Sequence, residues 1–278
     1  IKTNNIKVLA IENYTFDMKL PNCDSIVLTT NENETIFGFK NLYLMPLDFE
    51  EYLLHDQRHQ NEISSFNAFY KYGNLPGVIN LEEHKKEKRL QEVIKIYTKD
   101  ETEQEVLQLL FLNIDEKKSI NQLFTTLKKR LKISKDRFYE LCKYYEHAQM
   151  IFFIEKFEQS KAVKKIYSYN HAFLNALTHT KKFKNQFTNM VFLELHKGDE
   201  EIFYYDSIDF YLPESNRVIL CHPFFNKMLM NTHMKKVYTA INHLDVDEIF
   251  IITIGNEDSF SHNTINISVL PFYEWSLS

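Results

Sequence analysis

A chain of 278 residues exceeds one ordinary domain, and its 44% hydrophobic content, with 23 Phe and 16 Tyr, is ample for more than one core. Five glycines and no Gly-Lys pair exclude a G-x-x-x-x-G-K-S/T phosphate loop, so this chain does not hold ATP by that route. The net charge of -5 excludes a uniformly nucleic-acid-coating surface, and no apolar run approaches the ~18 residues of a membrane span.

In chain order, "IKVLAI" (Ile6–Ile11), "SIVLTT" (Ser25–Thr30) and "IFGFKNLYLMPL" (Ile36–Leu47) read as strands. The first two are continuous apolar runs, the pattern of buried parallel strands, and these strands need neighbours that residues 1–48 do not supply. The sequence opens inside this strand-like pattern, so an upstream segment is expected. From Asp48 the periodicity turns helical, broken at "YGNLPGV" by Gly73, Pro76 and Gly77. A Lys- and Glu-rich helix over "LEEHKKEKRLQEVIKIYTKD" presents a solvated face. Three helices then follow, "ETEQEVLQLLFLNI", "SINQLFTTLKKRL" and "SKDRFYELCKYYEHAQ"; the second opens with a capping box, Ser119 and Gln122. "MIFFIEKF" and "VKKIYSYN" form a hairpin after them. That order predicts a winged helix. Beyond it, "MVFLEL", "EIFYY", "IDFYL", "RVILC", "EIFIITI" and "INISVL" read as strands, with a helix over "NKMLMNTHMKKVYTAINHL" crossing between the fourth and fifth. A mixed sheet is therefore predicted.

Several of these pieces line up with a known family. "LAIENY" resembles a Walker B strand and "IVLTTN" a sensor strand; "LMPLDFEEYL", "YKYGNLPGV", "IYTKD" and "ISKDRFYELCKYYEHAQMI" match further segments in order. "TNMVFLEL", "EIFYYDSIDF" and "ISVLPFYEWSL" cover the end. Together they resemble the C-terminal two-thirds of a prokaryotic AAA-type ATPase family whose last domain is similar to the PD-(D/E)XK restriction-endonuclease fold. The resemblance implies a multidomain chain, α/β and α+β. Residues 1–48 would be a remnant of a P-loop ATPase core, 49–99 a lid-like helical extension, 100–175 the winged helix, and 176–278 a degenerate endonuclease-like domain.

The departures from that family weigh against catalysis. At the Walker B pair the chain reads Glu12 and Asn13; Glu12 could serve a metal, but Asn13 cannot act as a base. ATP and Mg²⁺ would enter only with an upstream phosphate loop. At the nuclease positions the helix acid falls on Thr188, the hairpin Asp on Asp209, and the E-x-K pair on Leu220 and His222. One carboxylate does not hold Mg²⁺. Glu194 is the one acid nearby that could be a relocated ligand with Asp209 and His222; hairpin stabilisation is the plainer reading of Asp209. His55 and His59 share a helix face but lack the Glu of a zinc protease motif. No metal or other cofactor is expected in this chain.

Binding needs only charge and shape. Residues 117–165 carry thirteen cations and five anions, a local +8 against -7 over 199–258. Candidate phosphate contacts are Lys129, Arg130, Lys132, Lys135, Arg137, Lys161, Lys164 and Lys165. The expected partner is double-stranded DNA, or else a protein partner or self-association through exposed Tyr and Phe, with no membrane. Cys23, Cys142 and Cys221, odd in number and widely spaced, suit a reducing cytoplasm.

Overall fold

The structure is a computed structural model and describes residues 7–30, 36–42, 44–178, 182–198 and 200–278. The polypeptide is a mixed α+β chain. At its start, β1 (Val8–Ile11) and β2 (Ser25–Leu28) pair in parallel, Val8 opposite Ser25 through Ile11 opposite Leu28. The expectation that they are buried is overturned: Val8 and Val27 are more than half exposed, and no described residue between 7 and 42 joins either core. Nor do the described residues of 36–47 form the predicted strand. Gly38 sits at φ +85°, and the Phe39 N–H turns back onto the Ile36 carbonyl, which breaks extended pairing. Tyr43 and Ile6 lie outside the described residues.

Next come α1 (Phe49–His55), α2 (Glu62–Tyr72), α3 (Pro76–Ile79) and α4 (Glu83–Ile96). Asp48 caps α1 in a reciprocal box with Glu51, satisfying two N-terminal donors at once. The charged helix α4 is not wholly solvated. Lys86 is buried, its Nζ 2.7 Å from the Ile79 carbonyl and above the Tyr72 ring.

The helices α5 (Glu101–Leu112), α6 (Ile120–Lys128) and α7 (Lys135–His147) precede an antiparallel pair, β3 (Ile151–Ile154) and β4 (Lys165–Ser168), in the predicted order. Ser119 and Gln122 make both bonds of the capping box, and Ser134 caps α7 through the Arg137 N–H. After α8 (Phe173–Leu177) comes α9 (Phe183–His196). The "MVFLEL" segment, expected as a strand, lies inside α9. Its apolar run, interrupted only by Glu194, arises because consecutive residues from Gln186 to Phe192 are buried, so the helix is covered on more than one face. Phe192 stacks on Tyr167 of β4 at 4.6 Å and meets Phe210 of the sheet at 6.2 Å.

The sheet holds six strands: β5 (Phe203–Tyr205), β6 (Ile208–Leu212), β7 (Arg217–Cys221), then, after α10 (Lys227–Ile241), β8 (Glu248–Thr253), β9 (Asp258–His262) and β10 (Ile265–Pro271). Its order is β5-β6-β7-β8-β10-β9, parallel across β7-β8 and β8-β10 and antiparallel elsewhere. Along β7 and β8, alternate residues divide between two cores. Val218, Leu220, Ile249 and Ile251 meet Met234 and Val237 of α10, while Ile219, Cys221 and Ile252 join the larger core containing α9. The short α11 (Phe272–Trp275) closes the chain, with Phe272 against Phe49, Phe66 and Phe69. No helix among the described residues is long and apolar enough to cross a membrane.

Candidate functional site

Asp209, on β6, is 6% exposed and accepts the Cys221 N–H at 2.8 Å. Lys184, in the first turn of α9, reaches it at 3.2 Å. A second pair lies near: Lys165 of β4 is 2.6 Å from Asp115, and the Tyr167 hydroxyl donates to the same oxygen at 2.9 Å. Asp115 occupies the loop after α5 at φ +57°, a conformation Asp tolerates better than most residues, and its N–H donates to the Ile166 carbonyl. Two carboxylates and two ammoniums from four elements thus form one neutral cluster. Burial opposes ionisation of Asp209, but Lys184, Lys165 and the Cys221 N–H outweigh it and hold the carboxyl below its usual range. Desolvation likewise opposes charge on Lys165 and Lys184, and the neighbouring carboxylates overcome it, holding both lysines above the usual lysine range.

The other positions that the endonuclease resemblance singles out are apolar, or polar without being acidic. Thr188 is buried, and its hydroxyl donates back to the Lys184 carbonyl. Leu220 belongs to the α10 core. His222 stacks edge-on against His233 at 4.7 Å between ring centres; burial lowers its pKa to about 4. The Nε2 atoms of both rings are buried and have no hydrogen-bond partner among the described residues.

Glu194 does not join Asp209, which corrects the idea of a relocated acid. It lies ten residues beyond Lys184 on α9, about 15 Å along the axis, where it accepts the Phe49 N–H and the Lys197 ammonium. Among the described residues no group of three or more His, Cys, Asp or Glu is placed to hold a metal ion. The donors around Asp209 do not fit a divalent cation, because Lys184 and the Cys221 amide already satisfy its carboxylate. His59 turns its Nδ1 to Asp56 at 2.8 Å, beyond the end of α1 at His55, so the H-x-x-x-H pair does not share one helix. Glu12 and Asn13 are exposed after β1, with the Asn13 N–H on the Thr29 hydroxyl.

Of the candidate phosphate contacts, Lys165 is a correction: buried against Asp115, it cannot meet a ligand from solvent. Arg137 is held by Glu103 at 2.7 Å, Arg130 by Glu105 at 3.2 Å and Lys164 by Glu155 at 2.7 Å. Lys129, Lys132, Lys135 and Lys161 are exposed, with no ion pair among the described residues. The sequence reading missed Lys184 and Asp115. Lys184 stands one helical turn before Thr188, the only available signal; Asp115 sits in a loop with no motif.

The chain is thus an α+β protein whose polar centre joins a mixed sheet to a helix-and-hairpin unit. No family model matches it. It is 25% identical, over 295 aligned residues, to a protein of Methanocaldococcus jannaschii described as uncharacterized, an alignment covering 90% of this chain and 67% of that protein.

Proposed function

We propose that this chain is a non-catalytic nucleic-acid-binding portion of an AAA-type ATPase-like protein, acting on duplex DNA through its backbone. The observation carrying this reading is the set of exposed lysines at the α6–α7 turn, Lys129, Lys132 and Lys135, free of ion pairs among the described residues. The helix-and-hairpin unit reads as a winged helix with Lys161 on its wing. Asp136, Glu140 and Glu146 on the exposed face of α7 disfavour deep groove insertion, so contacts are to phosphates rather than base edges. The parallel β1–β2 pair supports the ATPase-remnant reading, with Asn13 in the base position. The run α9, β5, β6, β7, α10, β8 supports the endonuclease-like reading, with Thr188 and Leu220 at two of its acid positions and His222 at its Lys position. A cytoplasmic location accords with Cys23, Cys142 and Cys221 being odd in number and widely spaced along the sequence.

The test is fluorescence anisotropy with a duplex of about 25 base pairs at rising salt, a length that spans a winged-helix footprint. Binding should weaken steeply with salt, and replacing Lys129, Lys132 and Lys135 by Ala should flatten the log–log slope by about 2 to 3. No binding at low salt would sink the proposal. A second reading, a protein-docking scaffold, is favoured by the exposed Val8, Val27, Phe37, Leu42 and Leu44. It predicts self-association or partner capture that is indifferent to those lysines.

A further inference from the structure

A cavity of about 300 Å³ opens where the loop ahead of α1, the start of α1 and the C-terminal half of α9 meet. Leu47, Phe69, Met190 and Leu193 give it apolar walls. Its charged lining is lopsided: Asp48, Glu51 and Glu194 stand against one ammonium, that of Lys197, a net of -2. Asn74 also lines the cavity. It is 2% exposed, and its buried Oδ1 has no hydrogen-bond partner among the described residues. A buried acceptor left empty costs about 1–3 kcal/mol, and neither helix capping nor packing here explains it. The capping of α1 accounts for Asp48 and Glu51, but not for an amide oxygen facing no donor.

The chain itself displays the head group that these acceptors take. The Lys197 ammonium lies on Glu194 and 3.4 Å from Asp48. Its side chain is 42% exposed, so it can leave for solvent without unfolding anything.

We propose that this cavity binds an organic cation, a primary amine or guanidinium on a short apolar body. The head displaces Lys197 from Glu194 and Asp48 and donates to Asn74 Oδ1. The body lies against Phe69, Met190 and Leu193. An anionic head is excluded by the three carboxylates. The cavity shares no lining residue with the lysines proposed to meet DNA, and this inference does not depend on that one.

Isothermal titration of the whole chain with phenethylamine and with the isosteric neutral 2-phenylethanol tests the idea without any variant. The amine should bind at least about tenfold more tightly, as one charge-assisted hydrogen bond would give. Lys197→Met removes the resident competitor and should tighten amine binding about tenfold, while Glu194→Gln should weaken it by a similar factor. Equal affinity for amine and alcohol, absence of amine binding, or amine affinity unmoved in both variants would each overturn the proposal.

Discussion

At the scale of single residues, burial decides what a charge is for. Lys161 and Lys165 are four positions apart on the same hairpin, yet one faces water and the other closes on Asp115. Lys165→Met should destabilise the chain by about 3–5 kcal/mol, since it leaves a buried carboxylate uncompensated, while Lys161→Ala should change stability by less than about 0.5 kcal/mol. Urea denaturation of both variants reads the difference. His171 makes a second residue-scale case. It is fully buried, with Nε2 on the Phe69 carbonyl at 2.8 Å and Nδ1 without a hydrogen-bond partner among the described residues, and desolvation lowers its pKa to about 4. Because the folded value lies below the unfolded one, the unfolded chain binds the extra proton, and stability falls as pH drops from about 6.5 toward 4. The loss from His171 should reach about 2 kcal/mol by pH 5, and His171→Phe should remove that share of the pH dependence in urea midpoints.

At the scale of elements, caps and backbone geometry hold the helices in register. Ser119→Ala breaks a box in which both bonds are made and should cost about 1 kcal/mol, with Ser119→Asp recovering most of it, by thermal or urea melts. Gly73 ends α2 at φ +79°, and a Cβ there would overlap the Asn170 amide. Gly73→Ala should therefore cost more than the about 1 kcal/mol of backbone strain alone, because Asn170 also holds the Ala172 N–H. The capping box was legible beforehand, since it depends on residues three apart. The helical state of "MVFLEL" was not: an apolar run of that length fits a buried strand or a doubly covered helix, and only its neighbours choose.

At the scale of the molecule, the larger core runs without interruption from Phe49 through α5, α7, β4 and α9 to Phe210 and Phe272. It crosses the expected boundaries near residues 99 and 175. Unfolding of residues 49–278 should thus be one transition, with far-ultraviolet circular dichroism and the fluorescence of Trp275 coinciding in urea. Separate midpoints would show that the helix-and-hairpin unit and the sheet melt independently. The described residues of 7–42 stand outside both cores, so proteolysis should cut there first.

What the sequence determined by itself is local: helix periodicity, the Ser119 cap, and the absence of a carboxylate at Thr188 and Leu220. Each depends on residues within a few positions of one another or on residue identity alone. Tertiary structure decided the rest. Whether Lys165 meets a phosphate or Asp115, whether Glu194 stands beside Asp209 or at the other end of α9, and whether β1 and β2 are covered all depend on residues distant in sequence. Charge and hydrophobicity are properties of a side chain, but the dielectric and the partner that give them consequence are supplied by the fold.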